Sequence, residues 1–548
     1  MRMHVASLKS DPTDRACLFD CARRTLRIGG PPDEADAGCR VRAGGVGLGS
    51  IPRAIATTNA VMQDTREERM LLFVPPGRQA RFYMEGLFIA AQRLGVGCER
   101  VDLAELWRKL PPGRSSPAMI RDAADRMRGL IADRGITHTL GYADSAAFDL
   151  GFTSHGGRPR TFWADQGVTS MHLWTDHPNW SASGGCMRSP ERELLADPSH
   201  VHFLKSRSAA DEAREVLGWR RVHELAMAEE PGLAGFDADP RRPGVSNDGP
   251  RYDAVAIVGA ALPIPPWLEP YLGDDAVTLD ALVRANTEAA LASWETWIAS
   301  TGVDNGLDLS GLGGAWIEAK ARSPLATLWD LAGPLRGRFH RELEWLAADA
   351  SRWYGAVRAL QTASGGLRSF WLGWLGRRVR LGVFGTDATH LGIEQSPQQK
   401  QWVRYEHQAA VYRLGACAIN INQSHDEQGV THKPFQIVAS GVPAVHAATD
   451  GLEELFRTEP GPDHADRELA AFRSGPELLD AVRLLADDPG LRQRRAAAAY
   501  ERLLAEHRWE HRLERMLDRA ASFDGTPADG PACVRPSVAI SPAAPLAA

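Results

Sequence analysis

The chain has 548 residues, with 63 Lys and Arg against 69 Asp and Glu, and therefore a formal net charge of −6 at pH 7. This balance gives no electrostatic reason to expect nucleic acid as a partner, because nucleic-acid-binding domains are usually basic. The length exceeds one ordinary domain and predicts two domains with an insertion. Seven scattered cysteines make no disulfide framework or metal-ligand spacing, so we expect a reducing compartment and no metal site.

The two ends of the chain are predicted not to pack. Residues 1–66 are rich in Gly, Pro and Arg and are predicted to form a poorly ordered leader, and residues 523–548 a disordered Pro- and Ala-rich tail. No run of about 18 apolar residues occurs, and the first residues lack the apolar segment of a secretory signal. We therefore expect a cytoplasmic protein without a transmembrane segment.

The first predicted domain covers residues 67–250 and alternates strands with helices. Strands are predicted at Met70–Val74, Val96–Leu103, Ile136–Leu140, Thr161–Ala164, Met171–Thr175 and Val201–Leu204, with helices at Phe82–Leu94, Ala118–Arg134 and Ala209–Leu217. Short buried strands that alternate with amphipathic helices are typical of a parallel sheet. The pattern predicts a Rossmann-like domain.

Asp176 and His177 directly follow the predicted strand Met171–Thr175. In open α/β sheets ligands bind at the carboxyl ends of the strands, so both side chains are candidate catalytic groups. A carboxylate in that place would serve as the general base for an acceptor hydroxyl. Asp-x-Pro is also ordinary turn chemistry, and the sequence leaves both interpretations open.

The second predicted domain covers residues 251–522 and contains a helical insertion at about residues 264–366. Its strands are predicted at Asp253–Val258, Val379–Phe384, Ala416–Ile421 and Ala444–His446, and its last helices at Pro476–Ala486, Leu491–Ala505 and Trp509–Ala520. The insertion carries tryptophans at helical spacing. Such residues are either core or platforms for sugar stacking, and the spacing favours core; they are Trp294, Trp297, Trp329, Trp345 and Trp353.

The apolar segment Phe370–Leu375 is flanked by Arg368, Arg377 and Arg378. A short apolar run directly before a core strand indicates a buried helix. The alternative is an amphipathic helix that makes a peripheral membrane contact.

A site for an anion is predicted where Lys433 begins a helix, because free backbone N–H groups and a cation meet there. A nucleoside diphosphate would fit this position. Gly385 and Gly441 stand at junctions of strands and helices, where a missing side chain lets the backbone approach a ligand. Glu453 and Glu454 begin the next helix and are either ribose ligands or ordinary helix-start acids.

The order of these segments resembles the C-terminal donor half of the CgeB-like (spore-maturation-protein) glycosyltransferases, relatives of the GT-B class. The matching residues are Tyr412, Asn420, Asn422, Lys433-Pro434-Phe435-Gln436, Ala439-Ser440-Gly441 and His507-Arg508-Trp509-Glu510-His511-Arg512, with weaker echoes from about Met70 to Leu517. The resemblance implies a GT-B-like α/β fold, in which two doubly wound Rossmann-like domains face a cleft. It also implies sugar transfer from a nucleotide sugar to a glycan, lipid or protein acceptor, with no other cofactor and no metal.

The resemblance also assigns donor-binding roles. Lys433 stands where the family has an Arg, Gln436 where it has a Glu expected to hold the ribose, and Asn422 lies in the matching strand. Gln436 lacks the charge of the family's Glu, although it still accepts a hydrogen bond. This departure and the large insertion motivate an alternative function, a non-catalytic scaffold that binds a glycan or a nucleotide. Another nucleotide-sugar enzyme, such as a phosphatase or an epimerase, is a third possibility, but an epimerase would need a Gly-x-Gly-x-x-Gly turn after its first strand.

Overall fold

A computed structural model describes residues 68–76, 78–109, 117–146, 153–155, 158–178, 191–233, 250–302, 306–424, 429–458 and 467–521. The predicted leader at residues 1–66 and the tail at residues 523–548 lie outside these ranges.

The first domain is built on a parallel sheet of six strands in the order β2-β1-β3-β6-β7-β8, with a separate antiparallel pair, β4 and β5. Its strands are β1 (Arg69–Val74), β2 (Gly97–Asp102), β3 (His138–Tyr142), β4 (Thr153–His155), β5 (Arg158–Arg160), β6 (Thr169–Trp174), β7 (His200–Leu204) and β8 (Val222–Glu224). Its helices are α1 (Arg78–Leu94), α2 (Leu103–Lys109), α3 (Pro117–Arg134), α4 (Phe162–Asp165), α5 (Glu191–Leu195) and α6 (Arg207–Glu212). A π-helical turn, Ala213–Leu217, continues α6.

Seven further helices follow the first strand of the second domain. They form the insertion and the buried helix after it: α7 (Leu279–Ala285), α8 (Thr287–Thr301), α9 (Leu309–Arg322), α10 (Leu328–Leu335), α11 (His340–Ala347), α12 (Ala350–Leu360) and α13 (Leu367–Gly376).

The second domain has a parallel sheet of five strands in the order β10-β9-β11-β12-β13. These strands are β9 (Tyr252–Ile257), β10 (Leu381–Phe384), β11 (Gly415–Asn420), β12 (Ala444–Ala447) and β13 (Leu469–Phe472). The remaining helices are α14 (Tyr405–Tyr412), α15 (Lys433–Ala439), α16 (Leu452–Leu455), α17 (Gly475–Asp487), α18 (Pro489–Glu506) and α19 (Trp509–Ala521). The prediction of two doubly wound, Rossmann-like domains with a helical insertion is confirmed.

One predicted strand of the first domain is wrong. Residues 161–164 contain the start of helix α4, and Thr161 is its N-cap, because the Thr161 Oγ1 accepts a hydrogen bond from the Ala164 N–H at 3.0 Å. A threonine before an aromatic pair has high strand propensity, but capping decided the local structure here. Strands β8 and β13, of three and four residues, were not predicted.

The insertion packs on the first domain as well as on the second. Buried residues of α8 to α12 share one apolar core with Trp174, Leu204 and Trp219 of the first domain. Trp294 and Trp353 are 0 % and 1 % exposed within it, so the core interpretation is confirmed for these two predicted tryptophans; Trp316 of α9 is 0 % exposed in the same core. Trp297, Trp329 and Trp345 are partly buried against the same core.

Helix α13 is buried as predicted. Residues 369–375 are all buried in the core of the second domain, so the alternative of a membrane contact through this segment is wrong. Within the described ranges, no helix is both long enough and apolar enough to cross a membrane.

The last helix, α19, returns to the first domain and packs on α1. Gly86 of α1 makes this contact possible, because a Cβ there would lie 2.3 Å from the Trp509 ring. Nearby, Phe82 of α1 stacks on Tyr405 of the second domain with ring centroids 4.1 Å apart. One cluster of buried apolar residues therefore includes side chains of both domains.

Candidate functional site

The topology of the second sheet indicates where a ligand binds. Its chain order reverses at β9, since β10 is paired on one side of β9 and β11 on the other. Open parallel sheets bind ligands outside the carboxyl ends of the strands at such a point. A cavity of about 200 Å³ lies there, lined by residues 256–259 at the end of β9, by residues 419–423 at the end of β11, and by Gln79, Thr175 and Asp176 of the first domain.

Two cationic side chains line this cavity, Arg368 at the start of α13 and Lys433 at the start of α15. The Arg368 Nε donates to the Ile421 carbonyl oxygen at 2.9 Å, which holds the guanidinium at the end of β11. The Lys433 Nζ donates to the Gln408 Oε1 at 3.0 Å. The arrangement is suited to a compact anion such as a diphosphate. Two cations that line a cavity attract an anion more strongly than they would in bulk water, because the protein around them screens charge less.

The protonation state of Lys433 depends on the charges around it. Burial lowers the pKa of its ammonium group to about 7, and the neighbouring Arg368 charge acts in the same direction, whereas Glu229 opposes them. A bound anion would restore the charged form, because an opposite charge within a few ångströms favours it. We therefore expect the protonated fraction of the Lys433 ammonium group to rise when an anion binds.

Glu229 belongs to the first domain but lies in a buried cluster with residues of the second. The Tyr405 hydroxyl donates to the Glu229 Oε2 at 2.6 Å, and the Glu230 N–H donates to the Glu229 Oε1 at 3.0 Å. Burial raises the pKa of the Glu229 carboxyl to about 7, against the opposing effect of these hydrogen bonds. The cluster brings a carboxyl group of one domain close enough to affect Lys433 of the other.

Gln436 lies beneath this cluster and does not line the cavity. Its side chain is 0 % exposed, beside Glu229 and Tyr405, and it favours the charged form of Glu229. Neither of its amide atoms makes a hydrogen bond of regular geometry with a described residue. In this structure the Gln436 side chain is therefore not at the cavity surface, although the resemblance implied a ribose-binding role for it.

The other predicted donor residues divide into two groups. Asn422 and Gly385 line the cavity together with Lys433. Gly441 follows α15 at the opposite end of that helix from Lys433, and Glu453 and Glu454 lie in α16; none of the three lines the cavity. Glu453 has a side chain 63 % exposed, as expected for a helix-start acid on the surface.

Asp176 and His177 are adjacent in sequence but face different surroundings. Asp176 is exposed and lines the cavity at the end of β6, as predicted from its strand-end position. His177 is 5 % exposed, and its Nε2 lies 3.0 Å from the Glu212 Oε2. The Glu212 Oε1 accepts from the Trp353 indole N–H at 2.5 Å, so the insertion packs directly against this pair. Asp176 is thus the member of the pair that is accessible from the cavity.

The cavity residues that were not predicted include Arg368, Gln408 and Trp402. Arg368 carried a weak signal, since it begins a buried helix after two glycines. Gln408 and Trp402 carried none, because their role depends on contacts between distant segments. In the part of the chain that the structure describes, no group of three or more His, Cys, Asp and Glu residues is placed to hold a metal ion.

One protein-family model matches part of the second domain. Residues 368–518 match the model of a family described as "Glycosyl transferase-like". The match begins at the cavity residue Arg368 and includes Lys433. It supports a glycosyltransferase-like second domain. No curated protein matches the sequence.

Several solved structures have a similar arrangement at low similarity. Sucrose-phosphate synthase from Thermosynechococcus elongatus is 13 % identical, with 82 % of this chain and 98 % of that chain covered and a TM-score of 0.37. T4 phage BGT in complex with its UDP-glucose substrate is 9 % identical over 82 % and 99 % of the two chains, with a TM-score of 0.37. An alpha-glucosyltransferase in complex with UDP and a 13-mer DNA containing a HMU base is 11 % identical over 83 % and 99 %, with a TM-score of 0.40.

Proposed function

We propose that this protein is a glycosyltransferase of the GT-B type that moves a sugar from a nucleotide-sugar donor to an acceptor hydroxyl. The observation that carries this proposal is the cavity that Arg368 and Lys433 of the second domain line together with Asp176 of the first. The family match of the second domain gives the reaction class.

The proposed roles follow from the charges. As the acceptor oxygen bonds to the anomeric carbon of the sugar, the bond from that carbon to the diphosphate oxygen breaks and negative charge develops on the leaving group. Arg368 and Lys433 are positioned to stabilise that charge. Asp176 is the proposed base that takes the proton of the acceptor hydroxyl.

The finer assignments belong to the same proposal. They are a CgeB-like subfamily, transfer of a hexose, a glycan, lipid or protein as acceptor, and no cofactor other than the nucleotide sugar. Because two side-chain cations already face the leaving diphosphate, we also propose turnover without a divalent metal ion.

A panel of nucleotide sugars tests the proposal through release of nucleoside diphosphate, with and without candidate glycan, lipid and peptide acceptors. Acceptor-dependent release from one donor, retained in EDTA, is the expected result. Activity that disappears in EDTA and returns with Mn²⁺ or Mg²⁺ would contradict metal independence. Nucleotide binding without release from any donor would favour the non-catalytic scaffold.

The scaffold alternative was motivated by Gln436 in place of a ribose-binding Glu and by the large insertion. The first motivation is weaker in the structure, because the Gln436 side chain is buried and does not line the cavity. The missing charge at this position therefore does not remove a group that touches the donor.

A further inference from the structure

Trp402 is a large apolar side chain left in solvent at the edge of the cavity. It is 52 % exposed and lines the cavity on the side of β9 and β10. Water contact over half of an indole is unfavourable, and a flat aromatic face at a ligand cavity offers a surface for stacking.

The loop that carries Trp402 is fixed to the end of β10. The Gln395 Nε2 donates to the Val383 carbonyl oxygen at 2.8 Å and to the Thr386 carbonyl oxygen at 3.0 Å. The Gly385 N–H donates to the Gln399 carbonyl oxygen at 2.8 Å. Three residues after the indole, helix α14 begins at Tyr405. The backbone on both sides of Trp402 is therefore anchored before a ligand arrives, which lowers the entropic cost of ordering this loop on binding.

Two glycines, Gly259 and Gly385, line the cavity together with Trp402. A Cβ on Gly259 would lie 3.2 Å from the Trp402 ring, which is tighter than ordinary contact. Gly385 has a φ of +100°, and a Cβ there would lie 2.5 Å from the Val258 carbonyl oxygen. The Gly259 backbone therefore packs directly against the edge of the indole, and the positive φ at Gly385 requires a glycine where the chain turns at the end of β10.

The two ends of the cavity differ in charge. Arg368 binds the Ile421 carbonyl after β11, whereas Trp402 and Gly385 lie by the end of β10. β9 lies between β10 and β11 in the sheet, so the arginine and the loop of the indole are anchored at different strands of the same cavity. A ligand with an anionic group at the cations can therefore place an uncharged planar group at the indole.

We propose that the indole of Trp402 stacks on the nucleobase of the donor and thereby holds the nucleoside end at the carboxyl ends of β9 and β10. This inference rests on the proposed function and names the side chain that binds the base. Stacking does not distinguish bases strongly, so Trp402 contributes affinity for purine and pyrimidine nucleotides alike.

Titration calorimetry with UDP, GDP and inorganic pyrophosphate tests the inference. Trp402→Ala should weaken binding of the nucleoside diphosphates by about 5- to 150-fold, the fold-change that corresponds to loss of one aromatic–base stack. Affinity for pyrophosphate, which has no base, should not change. Trp402→Phe should retain most of the affinity, because it keeps an aromatic face.

The matched control is Trp267, which is 43 % exposed and does not line the cavity. Trp267→Ala should leave all three affinities unchanged. Equal nucleoside diphosphate affinity in wild-type protein and Trp402→Ala would overturn this inference but not the proposed function. A loss of affinity in Trp402→Ala that is seen only with the complete nucleotide sugar would also overturn it, because the sugar and not the base would then contact the ring. Failure of any nucleoside diphosphate to bind wild-type protein would overturn the proposed function as well.

Discussion

Lys433 is a partly buried cation whose charge changes near neutral pH. Its pKa is lowered to about 7, so the unliganded protein loses this charge as the pH rises from 7 to 9. Anion binding needs the charged form, and a second cation, Arg368, is close enough to oppose that form in the absence of ligand.

We expect nucleoside diphosphate affinity to fall between pH 7 and pH 9, by at most about tenfold per pH unit, because one proton must be taken up on binding. Lys433→Ala should weaken binding at pH 7 by about 1–3 kcal/mol, the usual effect of losing a charge-assisted contact, and should remove the pH dependence. Calorimetry at three pH values measures both effects.

Lys433→Arg is the control for that measurement, since an arginine stays charged throughout this pH range. It should retain binding with a flat pH profile. A wild-type profile unchanged in Lys433→Ala would assign the titration to another group, such as Glu229, whose pKa is raised to about 7.

Asp176 is the accessible carboxylate on the first-domain side of the cavity. Asp176→Asn keeps the shape of the side chain but removes the base, so the turnover number should fall by roughly 10²–10⁴-fold. Nucleotide affinity should not change, because the proposed donor contacts come from the other domain. Normal turnover with a lower melting temperature would show that Asp176 is only a turn residue.

At the scale of elements, strands β6 and β7 place three buried histidines side by side. His172 is directly opposite His202 in the register, and the His172 Nε2 lies 2.7 Å from the His200 Nδ1. The His172 Nδ1 lies 2.8 Å from the Ala143 carbonyl oxygen and the His202 Nε2 2.8 Å from the Leu195 carbonyl oxygen. The His172 Nδ1 and the His202 Nε2 must donate, because a carbonyl oxygen can only accept. In a neutral ring the second nitrogen accepts, so the His172 Nε2 accepts from the His200 Nδ1 and the network uses neutral rings.

Burial lowers the pKa of all three rings, that of His172 to about 4. In the unfolded chain each ring takes up a proton below about pH 6.5, whereas in the folded protein it stays neutral. The contribution of the neutral rings to the free energy of unfolding is therefore fully present above pH 6.5. It is lost as the pH falls toward 4, at up to about 1.4 kcal/mol per pH unit for each ring.

We expect the free energy of unfolding to decrease between pH 7 and pH 5, and His172→Asn to show a smaller decrease. Urea unfolding at the two pH values gives the slope. His340→Gln is the control, because the His340 side chain is 68 % exposed and its replacement should leave the slope unchanged. An identical slope in His172→Asn would contradict the role of this network.

At the scale of the whole molecule, three connections hold the two domains in one arrangement. Helix α19 packs on α1, the insertion packs on α6 and the π-helical turn after it, and Tyr405 binds the Glu229 carboxyl across the domain boundary. The cavity therefore lies between surfaces that are already fixed relative to each other. This arrangement explains why one apolar core includes residues of both sheets.

Gly86 offers a test of the α19 contact. A Cβ at Gly86 would lie 2.3 Å from Trp509, so Gly86→Ala should destabilise the protein by about 1–3 kcal/mol through overpacking. Gly129→Ala is the matched control in α3, since a Cβ there meets nothing within 4 Å and an alanine should stabilise the helix by about 0.5–1 kcal/mol. Thermal unfolding compares the two; equal melting temperatures would mean that α19 adjusts without cost.

Much of the fold was predictable from the sequence because its signal is local. The apolar runs of β1, β6, β9 and β11 and the helical periodicity of α1, α17 and α18 each depend on a short segment, and parallel sheets bury such strands on both faces. Lys433, Gly385 and Asp176 were predicted on the same basis, since each stands next to a strand or helix end, whereas Asn422 was predicted from the family resemblance. The carboxyl edge of a parallel sheet then brings such residues into one cavity.

The tertiary structure alone decided which of these residues a ligand can reach. Gln436 follows Lys433 by less than one helical turn but points into the buried cluster, and Glu229 joins that cluster from a segment 176 residues from Tyr405. Trp402 and Gln408 face the cavity because the loop before α14 folds back on β10. Contacts of this kind depend on how distant segments pack, and neither periodicity nor propensity within a short stretch of sequence contains that information.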